Sequence, residues 1–176
     1  IIASPTGVSA QIIGGATNHR TFNAPIGVIK PSDINKLTEV TKNLLRKVDR
    51  VFLDEISMNR YDMFCHIDNC LQVANENTLP FGGKQIVATG DLFQLCAFIS
   101  PNEKTFYNSL YGTKLFPFEA DNWNFETVEL NQPMRNTNEE QIRILQKLRE
   151  GVDSKEVVSY INSKAKVHNP DEDFVY

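Results

Sequence analysis

Apolar residues along this chain occur in short continuous runs and in helical repeats, and the two patterns alternate. Ile1 to Ala3 reads as the end of a strand that runs into the turn Pro5-Thr6-Gly7. A helix from Val8 to Ile13 follows, stopped by Gly14-Gly15. From Ser32 or Asp33 as N-cap, Ile34, Leu37, Val40, Leu44, Leu45 and Val48 fall at helical spacing. Lys36, Lys42, Arg46 and Lys47 lie largely on the other face, so one amphipathic helix is expected. Val51-Phe52-Leu53 then has the continuous apolar character of a buried parallel strand and is closed by Asp54-Glu55. Met63, Phe64, Ile67, Leu71 and Ala74 form the stripe of a second helix. Pro80, Gly82 and Gly83 break the chain before another strand, Gln85 to Thr89, which also ends in an acid at Gly90-Asp91.

The second half is less regular. Between Leu92 and Phe125 the pattern is aromatic-rich and loop-like, and an irregular excursion is expected. Phe125 to Leu130 alternates as a strand. Thr137 and Glu140 make a capping box for a helix carrying Ile142, Leu145 and Leu148 and ending at Gly151; a last helix spans Ser154 to Ala165. Phe174-Val175-Tyr176 is strand-like. The whole is an α/β pattern with a parallel sheet flanked by helices, and in such sheets ligands bind beyond the carboxyl ends of the strands.

Composition narrows the choice. The chain has 176 residues, 41% hydrophobic and 23% charged, which is globular and of single-domain size. No apolar run approaches the roughly 18 residues that span a bilayer, so no membrane role is expected. A net charge of -4 argues against holding nucleic acid by bulk positive charge and leaves a local basic groove possible. Cys65, Cys70 and Cys96 are an odd number, which fits a reducing intracellular setting, the cytoplasm of a prokaryote or the nucleus of a eukaryote. Cys65, His66 and Cys70 invite a metal reading, but tetrahedral zinc wants four ligands, and on a helix these residues read as core. The chain does not begin with Met and ends abruptly, so it is expected to be a piece of a longer protein.

The chemistry concentrates at the two acid-terminated strands. An apolar strand delivering Asp54-Glu55 resembles the Walker B element of nucleotide hydrolases, in which the first acid holds Mg²⁺ and the second orients the attacking water. Solvated acids at the end of any buried strand would look the same. Gly90-Asp91-Leu92-Phe93-Gln94-Leu95 follows the next strand and offers Gln94, whose amide can donate to a γ-phosphoryl oxygen or accept from water; the plainer reading is a turn capped by Asp91. Asp91 is placed with Asp54 on the nucleotide side of the site.

These blocks and their neighbours resemble, in order, the motifs of the PIF-type DNA helicases, relatives of RecD within superfamily one. Ala3-Ser4-Pro5-Thr6-Gly7-Val8-Ser9-Ala10 with Ile13-Gly14-Gly15-Ala16-Thr17-Asn18-His19 is similar to motif Ia, and Asp54-Glu55-Ile56-Ser57-Met58 to motif II. Pro80-Phe81-Gly82-Gly83-Lys84-Gln85 with the run from Gly90 to Leu95 is similar to motif III and its lead-in, and Leu130 through Met134-Arg135 to motif IV. The resemblance runs from residue 3 to about Gly151.

It implies a RecA-like P-loop NTPase fold and an ATP-driven motor that moves 5′ to 3′ on single-stranded DNA and unwinds forked duplexes in genome maintenance, with repair, recombination and telomere upkeep as its settings. The chain would be most of the first of two RecA-like domains. Asp54 would serve Mg²⁺, Glu55 would be the catalytic base, Gln94 the γ-phosphate sensor and Arg135 a cationic stabiliser of the transferring phosphate. Thr6, Gly7, Thr17 and His19 would lie along single-stranded DNA. Taken singly, Arg135 is also readable as a helix-flanking charge, His19 as a structural histidine, and the aromatics between Phe93 and Trp123 as packing.

Departures from the family pattern carry expectations too. No GxxxxGK[ST] phosphate loop occurs; Gly82-Gly83-Lys84 is followed by Gln85 and precedes a strand. The loop is expected about one βα unit before residue 1, and the second RecA-like domain, with motifs V and VI, beyond the chain. Cys96-Ala97-Phe98 stands where Pro-Pro-Val usually follows the motif III Gln-Leu, and Asn136 where a Gln commonly follows the Arg. Two other classes compete. One is a non-catalytic DNA-binding or scaffolding domain that retains the fold; the other is a metal-dependent phosphoesterase using Asp54 and Asp91, for which no Asp-x-His or Asn-His partner motif is present.

Overall fold

A computed structural model describes residues 1–132, 134 and 137–165, which divide into a unit over 1–125 and a second from 126 onward. In the first unit, β1 (Ile2–Ser4), β2 (Ala16–Thr17), β3 (Arg50–Leu53) and β4 (Gln85–Ala88) form a parallel sheet in the order β2-β1-β3-β4 among the described residues. The register aligns Ile2 with Phe52 and Phe52 with Val87, and in the next row Ala3 with Leu53 and Leu53 with Ala88. Side chains in one row share a face. Ala3, Val51 and Leu53 are fully buried, whereas Ile2 and Phe52 are 41% and 40% exposed, so one face carries the core of this unit.

The strands follow the sequence pattern closely at β1, β3 and β4. Helix α1 (Gly7–Ile12) begins because the Thr6 hydroxyl accepts the Ser9 N–H at 3.2 Å and ends ahead of Gly14, whose φ is +66°. Two short elements that the pattern did not announce, β2 and α2 (Asn18–Thr21), come next. The single amphipathic helix expected from Ser32 or Asp33 to Val48 is two elements. A 3₁₀ turn spans Pro31–Lys36, and α3 (Glu39–Lys47) starts afresh. The cause is local capping: Asp33 accepts the Lys30 N–H at 2.8 Å, and Thr38, held extended, accepts the Thr41 N–H at 3.2 Å. Val40, expected on the apolar stripe, is consequently 80% exposed.

Helix α4 (Tyr61–Asn75) is the main wall of the core. Met63, Phe64, Ile67, Cys70, Leu71 and Ala74 are all buried on it, each large apolar side chain worth about 1.5–3 kcal/mol relative to exposure. Phe64 packs against Phe81, Trp123 and Phe125 with ring centroids 5.4, 5.5 and 6.4 Å away, which makes these aromatics core packing. The excursion expected from Leu92 to Phe125 contains a regular helix, α5 (Pro101–Tyr111). It escaped the sequence reading because only Tyr107 on it is buried, so no apolar repeat marks it.

No strand forms over Phe125 to Leu130. Val128 and Leu130 are 79% and 90% exposed, and alternation without a neighbouring strand to pair with does not make a sheet. Helices α6 (Glu139–Glu150) and α7 (Ser154–Lys164) form a hairpin through Ile144 and Val157, with Lys147 bound to Asp153 and Glu156. The cap of α6 is Asn138, whose Oδ1 accepts the Gln141 N–H at 2.9 Å, in place of the expected Thr137–Glu140 box. The strand-like Phe174-Val175-Tyr176 lies outside the described residues.

Candidate active site

The carboxyl end of β3 is bonded to β1 on one side and to the end of β4 on the other. Asp54 N–H donates to the Ala3 carbonyl, Thr89 N–H to the Leu53 carbonyl and Ile56 N–H to the Thr89 carbonyl, all at 2.9 Å. Between these anchors Glu55 adopts the left-handed conformation, φ 49° and ψ 50°. For a residue with a Cβ this conformation is disfavoured, and it ends the strand alternation at Asp54. Both acids are half-buried. The close approach of the two loops depends on Gly90, where a Cβ would stand 2.9 Å from the Ile56 nitrogen.

The Gln94 loop is built on the same frame. Asp91 accepts the Phe93 N–H at Oδ1 and the Gln94 side-chain amide at Oδ2, each at 3.0 Å. A carboxylate only accepts, so the amide nitrogen of Gln94 faces Asp91 and its carbonyl oxygen turns away. Beyond Gln94 the loop is tied down by Ser57: its hydroxyl donates to the Leu95 carbonyl at 3.1 Å, and its own carbonyl accepts the Ala97 N–H at 2.9 Å. The structure thus brings Asp54, Glu55, Asp91 and Gln94 to adjoining loops at one end of the sheet. Arg135 lies outside the described residues.

The residues expected along DNA sit at the ends of the other two strands. Thr6 follows β1 and spends its hydroxyl on the α1 cap, bonding Ser9 Oγ at 2.6 Å as well. Gly7, the first residue of α1, is exposed, with nothing within 4 Å of the place a Cβ would take. Thr17 ends β2 and caps α2 by accepting the Arg20 N–H at 3.3 Å. His19 is half-buried; burial first, then the positive charge of Arg60, hold its imidazole below the ordinary 6.5. At neutral pH it offers a hydrogen bond and no charge.

Two residues at the site had no role from sequence, Ser57 and Thr89. Ser57 is 1% exposed, and a serine so buried needs a partner, which only the folded chain reveals. Thr89 donates its hydroxyl to Asp54 Oδ1 at 2.7 Å, a contact that becomes legible only when β3 and β4 are known to be neighbours. The Cys65, His66 and Cys70 group is core, as expected. His66 Nε2 bonds the Phe22 carbonyl at 3.0 Å, and burial pushes the Cys70 thiol up to about 12. Among the described residues no three His, Cys, Asp or Glu side chains are grouped to hold a metal.

The chain is similar to known proteins over most of its length. The chain is 30% identical over 156 residues to the ATP-dependent DNA helicase RRM3 of Saccharomyces cerevisiae, an alignment covering 85% of this chain and 21% of the yeast protein. Its fold superposes on Bacteroides Pif1 bound to ssDNA with a TM-score of 0.83 and 36% identity, covering 98% of this chain and 42% of that one. Against the Bacteroides Pif1 helicase in complex with ADP-AlF3 and ssDNA the TM-score is 0.81 with 35% identity, over 97% of this chain and 42% of the other. The parallel sheet with its helices is therefore the RecA-like fold of these structures, and the chain spans about a fifth to two fifths of the length of these relatives. The model of the PIF1-like helicases matches residues 1–162, nearly the whole sequence, and the chain belongs to that family.

Proposed function

We propose that this chain is most of the first RecA-like domain of an ATP-dependent DNA helicase, which couples ATP hydrolysis to 5′-3′ movement on single-stranded DNA and to unwinding of forked duplexes. The observation that carries the reading is the joining of the Asp54-Glu55 turn and the Gln94 loop by Thr89, Gly90 and Ser57 at the carboxyl ends of a parallel sheet. A catalytic acid and a phosphate sensor must share one rigid frame if hydrolysis is to drive movement.

In this reading Glu55 takes the proton of the attacking water, and Gln94 exchanges its Asp91 bond for the γ-phosphoryl oxygen. Arg135 stabilises charge on the transferring group. Mg²⁺ fits Asp54: a hard carboxylate on a fixed backbone is the usual protein share of a Mg²⁺ shell that nucleotide phosphates and water otherwise fill. When bound with ATP, the cation neutralises charge on the β- and γ-phosphates. Asp54 would orient it. Thr6, Gly7, Thr17 and His19 would meet the backbone of single-stranded DNA through hydrogen bonds that read no sequence.

The phosphate-binding loop is assigned to a βα unit preceding Ile1, and the second RecA-like domain to a segment beyond residue 176. The sheet has room for the first of these. β4 is its last strand among the described residues, and the face bearing Ile2 and Phe52 is only partly covered, whereas parallel sheets are normally covered on both faces. No helix among the described residues is long and apolar enough to cross a membrane. The motor would work where the genome is, in a prokaryotic cytoplasm or a eukaryotic nucleus, in repair, recombination or telomere maintenance.

DNA-stimulated ATPase activity of the chain extended by one upstream βα unit and the downstream domain, measured beside the 176-residue chain, tests this. Turnover in the long form alone is the expected result. A long form that binds single-stranded DNA and never hydrolyses ATP would make the domain a scaffold instead.

A further inference from the structure

Thr89 makes three hydrogen bonds around the acidic pair. Its N–H reaches the residue before the pair (Leu53), its carbonyl the residue after it (Ile56), and its hydroxyl the Asp54 carboxylate itself. With the Asp54 N–H also fixed on Ala3, the backbone at Asp54 has no freedom left, and only the side-chain torsions remain to be set. A threonine suits that task. Its β-branch restricts χ1, so the hydroxyl direction is fixed by the β4 backbone, which β3 holds in register up to Leu53 and Ala88. Gly90 keeps this arrangement possible, because a Cβ there would press on Ile56 at 2.9 and 3.0 Å and part the two loops.

We propose that Thr89 is a positioning residue for Asp54, holding the carboxylate in the orientation that receives the nucleotide-bound divalent cation. The inference rests on the reading of Asp54 as the acid that serves Mg²⁺. One hydroxyl proton occupies one acceptor site of Oδ1, and an ionised carboxylate has about four such sites, so capacity toward a cation or its waters is retained. Without the hydroxyl, Asp54 has to be ordered at the moment of cation binding, and affinity falls by the cost of that ordering.

The test uses the full helicase chain saturated with a non-hydrolysable ATP analogue and titrated with Mn²⁺, free Mn²⁺ being read by electron paramagnetic resonance. Thr89→Val, nearly isosteric and lacking the hydroxyl, is expected to weaken Mn²⁺ about three- to tenfold, the scale of one hydrogen bond. Nucleotide affinity in EDTA should stay unchanged, and Thr89→Ser should restore the cation. Wild-type Mn²⁺ affinity in Thr89→Val, or an equal loss of nucleotide affinity in EDTA, overturns the proposal. Asp54→Asn separates the two layers. If it weakens Mn²⁺ and Thr89→Val does not, only the positioning role fails. If neither does, the assignment of Asp54 to the cation fails with it.

Discussion

Ser57 donates its hydroxyl to the carbonyl of Leu95 at 3.1 Å across 38 residues of sequence, and this bond closes the loop that carries Gln94 onto the turn that carries Glu55. The neighbouring bond from Ala97 N–H to the Ser57 carbonyl makes it a two-point attachment. Removing the hydroxyl should loosen the loop without unfolding the sheet. Ser57→Ala is expected to lower stability by about 0.5–1.5 kcal/mol. Hydrogen exchange at Ala97 should quicken and kcat should fall more than ATP affinity does. Unchanged exchange at Ala97 would mean that the loop is held elsewhere.

Asp62 is the most heavily bonded buried acid of the first unit. Its side chain is 0% exposed and accepts Arg60 Nε at 2.9 Å, Arg60 Nη2 at 2.6 Å, and the N–H groups of Ile29 and Met63, both at 2.9 Å. Truncation would take two hydrogen bonds from the half-buried Arg60 guanidinium and leave two buried N–H donors without their acceptor. Asp62→Ala is expected to cost about 3–5 kcal/mol in denaturant unfolding. A loss below 1 kcal/mol, roughly the worth of an exposed pair, would contradict this.

Stability should fall in mild acid through His66. Burial lowers its pKa below the ordinary 6.5, against the raising effect of its bond to the Phe22 carbonyl. The unfolded chain therefore takes up a proton first. The contribution is full above 6.5 and shrinks as pH falls from there toward the lowered folded value. His66→Gln, which keeps an N–H for Phe22 and does not titrate, should reduce the slope of stability against pH in that window. An unchanged slope would place the titration elsewhere, with His19, whose pKa is also lowered, the next group to replace.

What could be read from the sequence divides along a physical line. The strands β1, β3 and β4 and helix α4 announce themselves because their apolar runs and stripes are buried against each other. Helix α5 buries only Tyr107, and the 3₁₀ turn before α3 depends on side-chain caps at Asp33 and Thr38, so periodicity misses both. The phrase Phe81-Gly82-Gly83 resembles the family pattern for a structural reason. Gly82 has a φ of +61°, and a Cβ there would fall inside van der Waals distance of the Leu71 carbonyl, so the turn packs directly on α4. At the site, Asp54, Glu55 and Gln94 were legible as motif residues. Thr89 and Ser57 were not, since their roles consist of contacts across the sheet ends that no local pattern encodes.

In the proposed motor Glu55, the acid at the left-handed turn after β3, activates water for ATP hydrolysis, and Glu55→Gln in the full helicase tests that role most directly. Single-turnover ATP hydrolysis on single-stranded DNA should drop by about two to four orders of magnitude, the usual worth of a positioned general base. ATP affinity should remain within about threefold of wild type, since an amide replaces the acid without a change of shape. Hydrolysis at the wild-type rate in that variant would contradict the assignment of Glu55, and with it the motor reading of this site.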